Sequence, residues 1–229
     1  MSDAEFQALW LTFKVSARGV LFALPFAIAC AWLLARRRFP GKPLVDGIVH
    51  LPLVLPPVVV GYLLLVLFGV KGPLGGPLND WFGIRLVFTA AGASLAIAVT
   101  TFPLVVRAIR LSIESIDDRL EGAAGTLGAG PLATFVLVTL PLALPGILVG
   151  SILCFARALG EFGATITFVS NIPGQTQTIS ALIYTYTQVP GGDAGALRLT
   201  AVSIVIALAA LVLSEVLQRR ARRGRAGFE

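Results

Sequence analysis

Long runs of apolar residues make up most of the chain, and the polar residues are gathered in short stretches between them. A helix needs about 20 mostly apolar residues to cross the hydrocarbon core of a bilayer. Stretches of this kind predict five transmembrane helices, at 15–35, 48–68, 86–106, 132–156 and 199–217. We therefore expect an all-α integral membrane protein in which residues 1–229 form a single transmembrane domain.

The overall composition agrees with a lipid environment. Of the 229 residues, 56% are hydrophobic and only 13% are charged, and the mean hydropathy is +0.88. Soluble domains carry about 25% charged residues, and a water-facing fold of this length cannot bury so much apolar surface. Lys14 and Arg18 lead directly into the first apolar run without a clear small-residue cleavage site, so we expect this run to stay in the membrane.

The region before the last span is less apolar than the rest. It contains two short pieces, FGATITFVS at 162–170 and ISALIYTYTQ at 179–188. Each piece is too short to cross a bilayer as a helix. We therefore expect 162–190 to form a re-entrant segment or to lie at the outer surface.

The basic residues predict the orientation. Cytoplasmic loops of membrane proteins carry an excess of Lys and Arg, so we expect the basic blocks and the C-terminus in the cytoplasm and the N-terminus outside. The net charge of +6 does not predict nucleic-acid binding, because no basic patch is interleaved with aromatic residues. Twelve of the 18 Lys and Arg residues form the three blocks: Arg36, Arg37, Arg38 and Lys42; Arg107, Arg110 and Arg119; Arg219, Arg220, Arg222, Arg223 and Arg225.

One short polar stretch, DDRLEGAAGTLGAGP at 117–131, lies between the third and fourth spans. It predicts a short helix with Asp117 and Asp118 in the first turn, where the helix dipole favours acids, and a stop at Gly128 and Gly130. A helix that lies on a bilayer usually carries bulky residues opposite basic ones. The narrow face of alanine and glycine here favours docking against another protein, with a bilayer-surface helix as the alternative.

The segment EGAAGTLGAGPLATFVLVTLPLALPGI resembles the cytoplasmic coupling loop of ABC importer permeases, whose motif begins Glu-Ala-Ala. Gly122 stands where that family usually has the motif's glutamate, and Glu121 precedes it. The resemblance implies that the loop at 115–131 docks in a cleft of an ATPase subunit. The residues that it assigns to this contact are Asp118, Glu121, Ala123, Ala124 and Gly128.

Two further stretches, 39–65 and 156–179, resemble the permease subunits of molybdate importers, with sulfate and thiosulfate permeases as close relatives. The resemblance implies the MetI-like ABC importer permease fold in a bacterial cytoplasmic (inner) membrane. It also implies a second copy of the chain, two cytoplasmic ATPase subunits, and a periplasmic or extracellular oxyanion-binding protein. The sequence itself has no phosphate-binding loop, because its only Gly-Lys pair is followed by Pro43. ATP and Mg²⁺ are therefore expected on the partner.

A path for an anion is expected to be only weakly polar, since tight binding would prevent release. Among the hydroxyl residues within the spans, we select Thr100, Thr101 and Ser151 as path candidates, with helix packing as the alternative role. Pro56 and Pro57 predict an irregular second span and a candidate gate, although helix distortion alone explains them equally well.

Arg157 and Glu161 form an i,i+4 pair at the outer end of the fourth span. Arg157 is a candidate landing point for the anion, and an intrahelical salt bridge is the alternative that we favour. His50 is the only histidine and has no neighbouring carboxylate cluster, so neither a metal site nor an intramembrane enzyme is predicted.

Two alternatives to molybdate transport stay open. Sulfate, thiosulfate and tungstate are similar enough in shape and charge that the permease sequence alone does not separate them from molybdate. A secondary anion transporter is an alternative of another class, but such proteins usually show internal repeats and buried coupling acids. We see no repeat, and Glu161 is the one acid within the apolar stretches that suits this role.

Overall fold

The computed structural model describes residues 1–226, and all of the regular elements among them are helical. The side chains at 218 and 220–226 lie outside this description, and so the tail arginines used to predict orientation are not described beyond Arg219. A five-residue π-helical segment, Phe135–Thr139, joins the helices Pro131–Thr134 and Leu140–Leu159. The α-helices are α1 Asp3–Arg36, α2 Lys42–Val54, α3 Pro57–Phe68, α4 Gly75–Phe82, α5 Ala90–Glu114, α6 Asp118–Thr126, α7 Pro131–Thr134, α8 Leu140–Leu159, α9 Gly163–Val169, α10 Ile179–Thr187 and α11 Asp193–Ala226.

Four helices of the described chain are long and apolar enough to cross a membrane: Asp3–Arg36, Ala90–Glu114, Pro131–Leu159 and Asp193–Leu217. The pair α2 and α3 makes a fifth span if the two are taken together. The all-helical membrane fold with about five spans is therefore confirmed. The two short pieces between Leu159 and Asp193 form the short helices α9 and α10.

The helices extend beyond the apolar runs because polar residues at their ends cap them. Ser2 and Glu5 form a capping box, so α1 begins twelve residues before the predicted span at 15–35. Its 34 residues make a helix about 51 Å long, well beyond the ~30 Å hydrocarbon core. The side chain of Thr89 accepts a hydrogen bond from Gly92 N and starts α5, which continues past the predicted end at 106.

The predicted span at 48–68 is two helices rather than one. Pro56 and Pro57 carry no N–H groups, and a residue that precedes a proline is driven to extended backbone, as Leu55 is with a ψ of 142°. Pro57 then occupies the first position of α3, where its missing N–H costs nothing. As a result α2 and α3 meet at 111°.

The core is built on close contact between α1 and α5, which run parallel along most of the bundle. A Cβ added to Gly19 would lie 2.7 Å from Ser94 O and 2.8 Å from a methyl group of Ile97. A Cβ added to Gly150 would lie 2.6 Å from Ala108 Cβ, so α8 also packs tightly against α5. Small residues thus bring these helices together, as membrane helices commonly do.

The two ends of the bundle differ. At one end, α1 and α5 finish, α2 begins, and α6 lies across them. At the other end, Arg198 of α11 donates two hydrogen bonds, of 2.7 and 3.2 Å, to the buried carboxylate of Glu5 in α1. There Ile179 N also donates to Thr12 Oγ1 at 2.8 Å, which fixes the start of α10 against α1.

Candidate functional site

The predicted polar stretch between the third and fourth spans forms α6, which has a capping side chain at its start and a glycine turn at its end. Asp117 lies before the first turn rather than within it, and its side chain accepts from Arg119 N at 2.9 Å. The helix ends at a left-handed Gly128, with a φ of 87°, and Ala129 N donates back to Ala124 O at 3.0 Å. The sequence therefore makes a nine-residue helix that is separated from both neighbouring spans.

One side of α6 is held by Arg36 at the end of α1. The Arg36 side chain is only 14% exposed, and its Nε lies 3.0 Å from Oε1 of Glu121. The same guanidinium pairs with Asp118 and donates through Nη2 to the carbonyl oxygens of Ile113 and Ile116, both at 3.1 Å. Arg36 thus binds the first turn of α6 together with one carbonyl at the end of α5 and one in the link that follows it.

Glu121 has a second partner in the span that follows. Thr139 Oγ1 donates to Glu121 Oε1 at 2.8 Å, and Thr139 itself is buried. Thr139 ends the π-helical segment, in which Leu140 N bonds to Phe135 O across five residues. Such segments are rare and occur frequently at functional sites. A cavity of about 280 Å³ lies beside this contact and is lined by residues that include Trp32, Arg36, Glu121, Phe135 and Thr139.

The opposite side of α6 is exposed and carries small side chains. Gly122 and Ala123 lie there, and a Cβ added to Gly122 would meet no atom within 4 Å. Ala124 is half-buried on the side of Glu121, as helical spacing from that residue requires. Of the predicted coupling residues, Asp118 and Glu121 therefore point at Arg36, Ala123 lies on the free face, and Gly128 forms the terminating turn.

The predicted path hydroxyls do not form a common polar site in the described structure. Thr100, Thr101 and Ser151 each donate to a carbonyl of their own helix, at 3.0, 2.7 and 2.7 Å. No hydrogen bond joins any of the three to another within residues 1–226. Thr101 is buried in the helix bundle, while Thr100 and Ser151 are half-buried.

Glu161 is a buried structural carboxylate at the start of α9. Its side chain is 2% exposed, lies 3.4 Å from the half-exposed Arg157, and accepts from Ala164 N at 3.1 Å. A Cβ added to Gly163 would lie 2.8 Å from Pro57 Cβ, so the break between α2 and α3 packs against the same turn. The structure thus brings the predicted gate proline and the Arg157–Glu161 pair into one neighbourhood.

A second charged cluster, which the sequence pattern did not reveal as a site, joins α2 to α5. Arg110 binds Asp46 at 3.0 Å and Glu114 at 2.7 Å. His50 Nδ1 lies 2.9 Å from the carbonyl oxygen of Asp46. Arg107 lines the same cavity, of about 320 Å³. Within the described residues, no group of three His, Cys, Asp or Glu side chains is placed to hold a metal ion.

Sequence reasoning also missed Arg36 and Thr139. Arg36 is one of three consecutive arginines, and a hydropathy profile does not distinguish it from the other two. Its acidic partners lie 82 and 85 residues further along the chain. Thr139 lies in an apolar run, and only the π-helical register turns it toward Glu121. The one available signal was that Arg36 immediately follows the first apolar run.

The fold and this site define a multi-span helical membrane protein with one short, largely exposed helix between two of its spans. The chain belongs to the family described as the binding-protein-dependent transport system inner membrane component, whose model matches residues 23–223. It is 60% identical over 227 residues to the molybdenum transport system permease protein ModB of Escherichia coli strain K12, covering 98% of this chain and 99% of that one.

A more distant relative and a solved structure agree with this family. The probable sulfate transport system permease protein cysT of Marchantia polymorpha is 38% identical over 77% of this chain and 61% of its own length. The inward-facing MetNI methionine ABC transporter structure superposes with a TM-score of 0.73 at 16% identity, covering 96% of this chain and 99% of the matched chain. The expected ABC importer permease fold is therefore confirmed.

Proposed function

We propose that this chain is the permease subunit of an ABC importer that carries molybdate across the bacterial inner membrane. The observation that carries this proposal is the 60% identity to the E. coli molybdenum permease along 98% of the chain. Identity to the sulfate permease is 38%, which favours molybdate over sulfate as the cargo. A separate ATPase subunit holds ATP and Mg²⁺ and performs the hydrolysis.

In this proposal, the end of the bundle that carries α6 faces the cytoplasm. Arg36 and Lys42 lie at this end, at the junction of α1 and α2, and Arg110 and Arg119 lie in α5 and α6. An excess of basic residues is typical of cytoplasmic connections. The end at which Glu5 binds Arg198 then lies outside, where an oxyanion-binding protein delivers the cargo.

The free face of α6 is the proposed contact with the ATPase subunit. This face has no bulky aromatic side chain, and Gly122 and Ala123 allow another backbone to approach closely. Leu127, 88% exposed at the end of the helix, offers an apolar anchor that no described residue covers. Glu121 is less available to a partner, because Arg36 and Thr139 already bind it.

The path itself is proposed to form between two copies of the chain. The four or five spans among the described residues enclose little space, and an isolated charge at the bilayer centre is costly. Weakly polar residues such as Thr100, Thr101 and Ser151 would let a dianion pass without holding it. Pro56 and Pro57 are proposed to act at the gate, and Arg157, which is half-exposed, to meet the incoming anion.

Selection of the cargo is assigned to the external binding protein. Molybdate, tungstate and sulfate are all tetrahedral dianions, so a weakly polar path discriminates poorly between them. A site that binds one of them selectively must hold it tightly, and a path must release it. The two tasks are therefore better placed on separate proteins.

The test is reconstitution of this permease with its ATPase subunit in lipid vesicles, followed by addition of the binding protein loaded with molybdate or sulfate. We expect the molybdate-loaded protein to stimulate both ATP hydrolysis and uptake. Stimulation by the sulfate-loaded protein alone would contradict the cargo assignment. Vesicles without the ATPase should take up no anion, and uptake there would instead support a secondary transporter.

A further inference from the structure

Arg36 connects three helices at the junction where α6 meets α1 and α5. Its guanidinium extends from the end of α1 and binds Glu121 and Asp118 in the first turn of α6. It also donates to the carbonyl oxygens of Ile113, in the last turn of α5, and of Ile116, in the short link between α5 and α6. Few side chains are able to serve this many acceptors, because only arginine offers five donors in a fixed planar fork.

The chemistry of this contact makes it stiff. The last carbonyls of a helix have no partners within the helix, and the helix dipole places negative charge there. The nearly buried guanidinium places positive charge at the end of α5, where Ile113 O also accepts from Ile116 N, and it neutralises Glu121, whose side chain is 21% exposed. Hydrogen bonds between charged groups are stronger than neutral ones and are further strengthened where water is scarce.

The connection from α6 toward α8 is built differently. Gly128 and Gly130 follow the helix, and a Cβ added to either one would meet nothing within 4 Å. The π-helical segment lies between this link and α8, and a cavity of about 280 Å³, lined also by Arg36 and Glu121, adjoins it. A displacement of α6 therefore reaches α1 and α5 through the charged contacts of Arg36, and it reaches α8 through one hydrogen bond from Thr139 and a link that contains two unpacked glycines.

We infer that Arg36 is the positioning residue that transmits movement of α6 to α1 and α5 as one unit. This inference rests on the proposed function, in which the ATPase moves α6. Arg36 does not touch the ATPase face, since it lies on the side of α6 that carries Glu121 rather than the exposed side with Gly122. Its loss should therefore separate ATP hydrolysis from transport without releasing the ATPase.

The experiment compares Arg36→Gln with the wild-type permease, both reconstituted with ATPase and binding protein. We expect ATPase retention and hydrolysis to stay within about twofold, while molybdate taken up per ATP hydrolysed falls by about tenfold, a typical size for coupling between sites. Arg37→Gln is the matched control. Arg37 is the next residue, and its guanidinium lies over the Trp32 ring at 5.2 Å without an ion pair among the described side chains.

Two further variants separate coupling from folding. Arg36→Lys keeps the charge but not the planar fork, so it should recover part of the uptake per ATP. Glu121→Gln keeps the shape and an acceptor for Thr139 but removes the charge that Arg36 binds. It should lower uptake per ATP as Arg36→Gln does, and the double variant should be no worse than either single one.

The possible outcomes separate a failure of the proposed function from a failure of the role inferred for Arg36. If wild-type permease shows no ATP-dependent molybdate uptake, the proposed function fails. If wild type transports and Arg36→Gln keeps a normal uptake per ATP, only the role of Arg36 is overturned. If Arg36→Gln does not assemble, Glu121→Gln decides the matter, and normal coupling in that variant overturns the inference.

Discussion

At the scale of single residues, the charges within the bundle differ in how completely the protein surrounds them. Glu161 is 2% exposed and receives a hydrogen bond from Ala164 N, whereas its partner Arg157 is half-exposed. A buried carboxylate without its donors is costly, but an exposed guanidinium is solvated by water or head groups. The two members of this pair therefore have different roles, with Glu161 fixing the start of α9 and Arg157 facing outward.

This difference predicts unequal effects of neutralising the pair. Glu161→Gln should lower the free energy of unfolding by about 1–3 kcal/mol, because a buried charged acceptor is lost. Arg157→Gln, the control at the exposed partner, should cost less than Glu161→Gln, because Ala164 N still donates to Glu161 and the new amide is able to donate as well. Thermal unfolding of the purified permease in detergent measures both. An uptake defect in folded Arg157→Gln would support its role as a landing point for the anion, and normal uptake would remove that role.

At the scale of helices, the contact between α1 and α5 depends on small residues, and glycine positions test it directly. Gly19 lies where a Cβ would approach Ser94 O to 2.7 Å, whereas a Cβ at Gly47 of α2 would meet nothing within 4 Å. Gly19→Ala should therefore destabilise the permease by about 1–3 kcal/mol through overpacking. Gly47→Ala should be neutral or slightly stabilising, because alanine favours helix. Equal melting temperatures for the two variants would show that α1 and α5 are not packed this closely.

A substitution at Gly122 tests the docking of α6 without disturbing the fold, whereas a substitution at Gly128 does not. Gly128 has a φ of 87°, so any side chain there strains the turn that ends the helix. At Gly122 the backbone is helical and the space is open, so a larger side chain leaves the fold intact. Gly122→Leu should block ATPase retention on affinity pulldown, and Gly122→Ala should preserve it. If Gly122→Leu retained the ATPase normally, the free face of α6 would not be the docking surface.

At the scale of the whole molecule, hydropathy alone was sufficient to predict the helical membrane fold and about five spans, because burial in lipid requires long apolar helices. The resemblance to molybdate importer permeases is likewise confirmed by the family and the relatives. The 111° bend between α2 and α3 was not predictable, since consecutive prolines indicate a break but not its angle. The Arg36 contact was not predictable either, because it joins residues 82 and 85 positions apart.

The proposed orientation of the bundle predicts which connections are accessible from each side of the membrane. Gln175, in the loop between α9 and α10, is exposed at the end where α1 begins, and Thr126 is exposed at the end of α6. In right-side-out membrane vesicles, a membrane-impermeant maleimide should label Gln175→Cys at once. It should label Thr126→Cys only after the vesicles are opened with detergent. The wild-type protein is the background control, because Cys154 is buried and Cys30 is half-buried within α1. Immediate labelling of Thr126→Cys in sealed vesicles would place α6 outside, where no cytoplasmic ATPase could reach it.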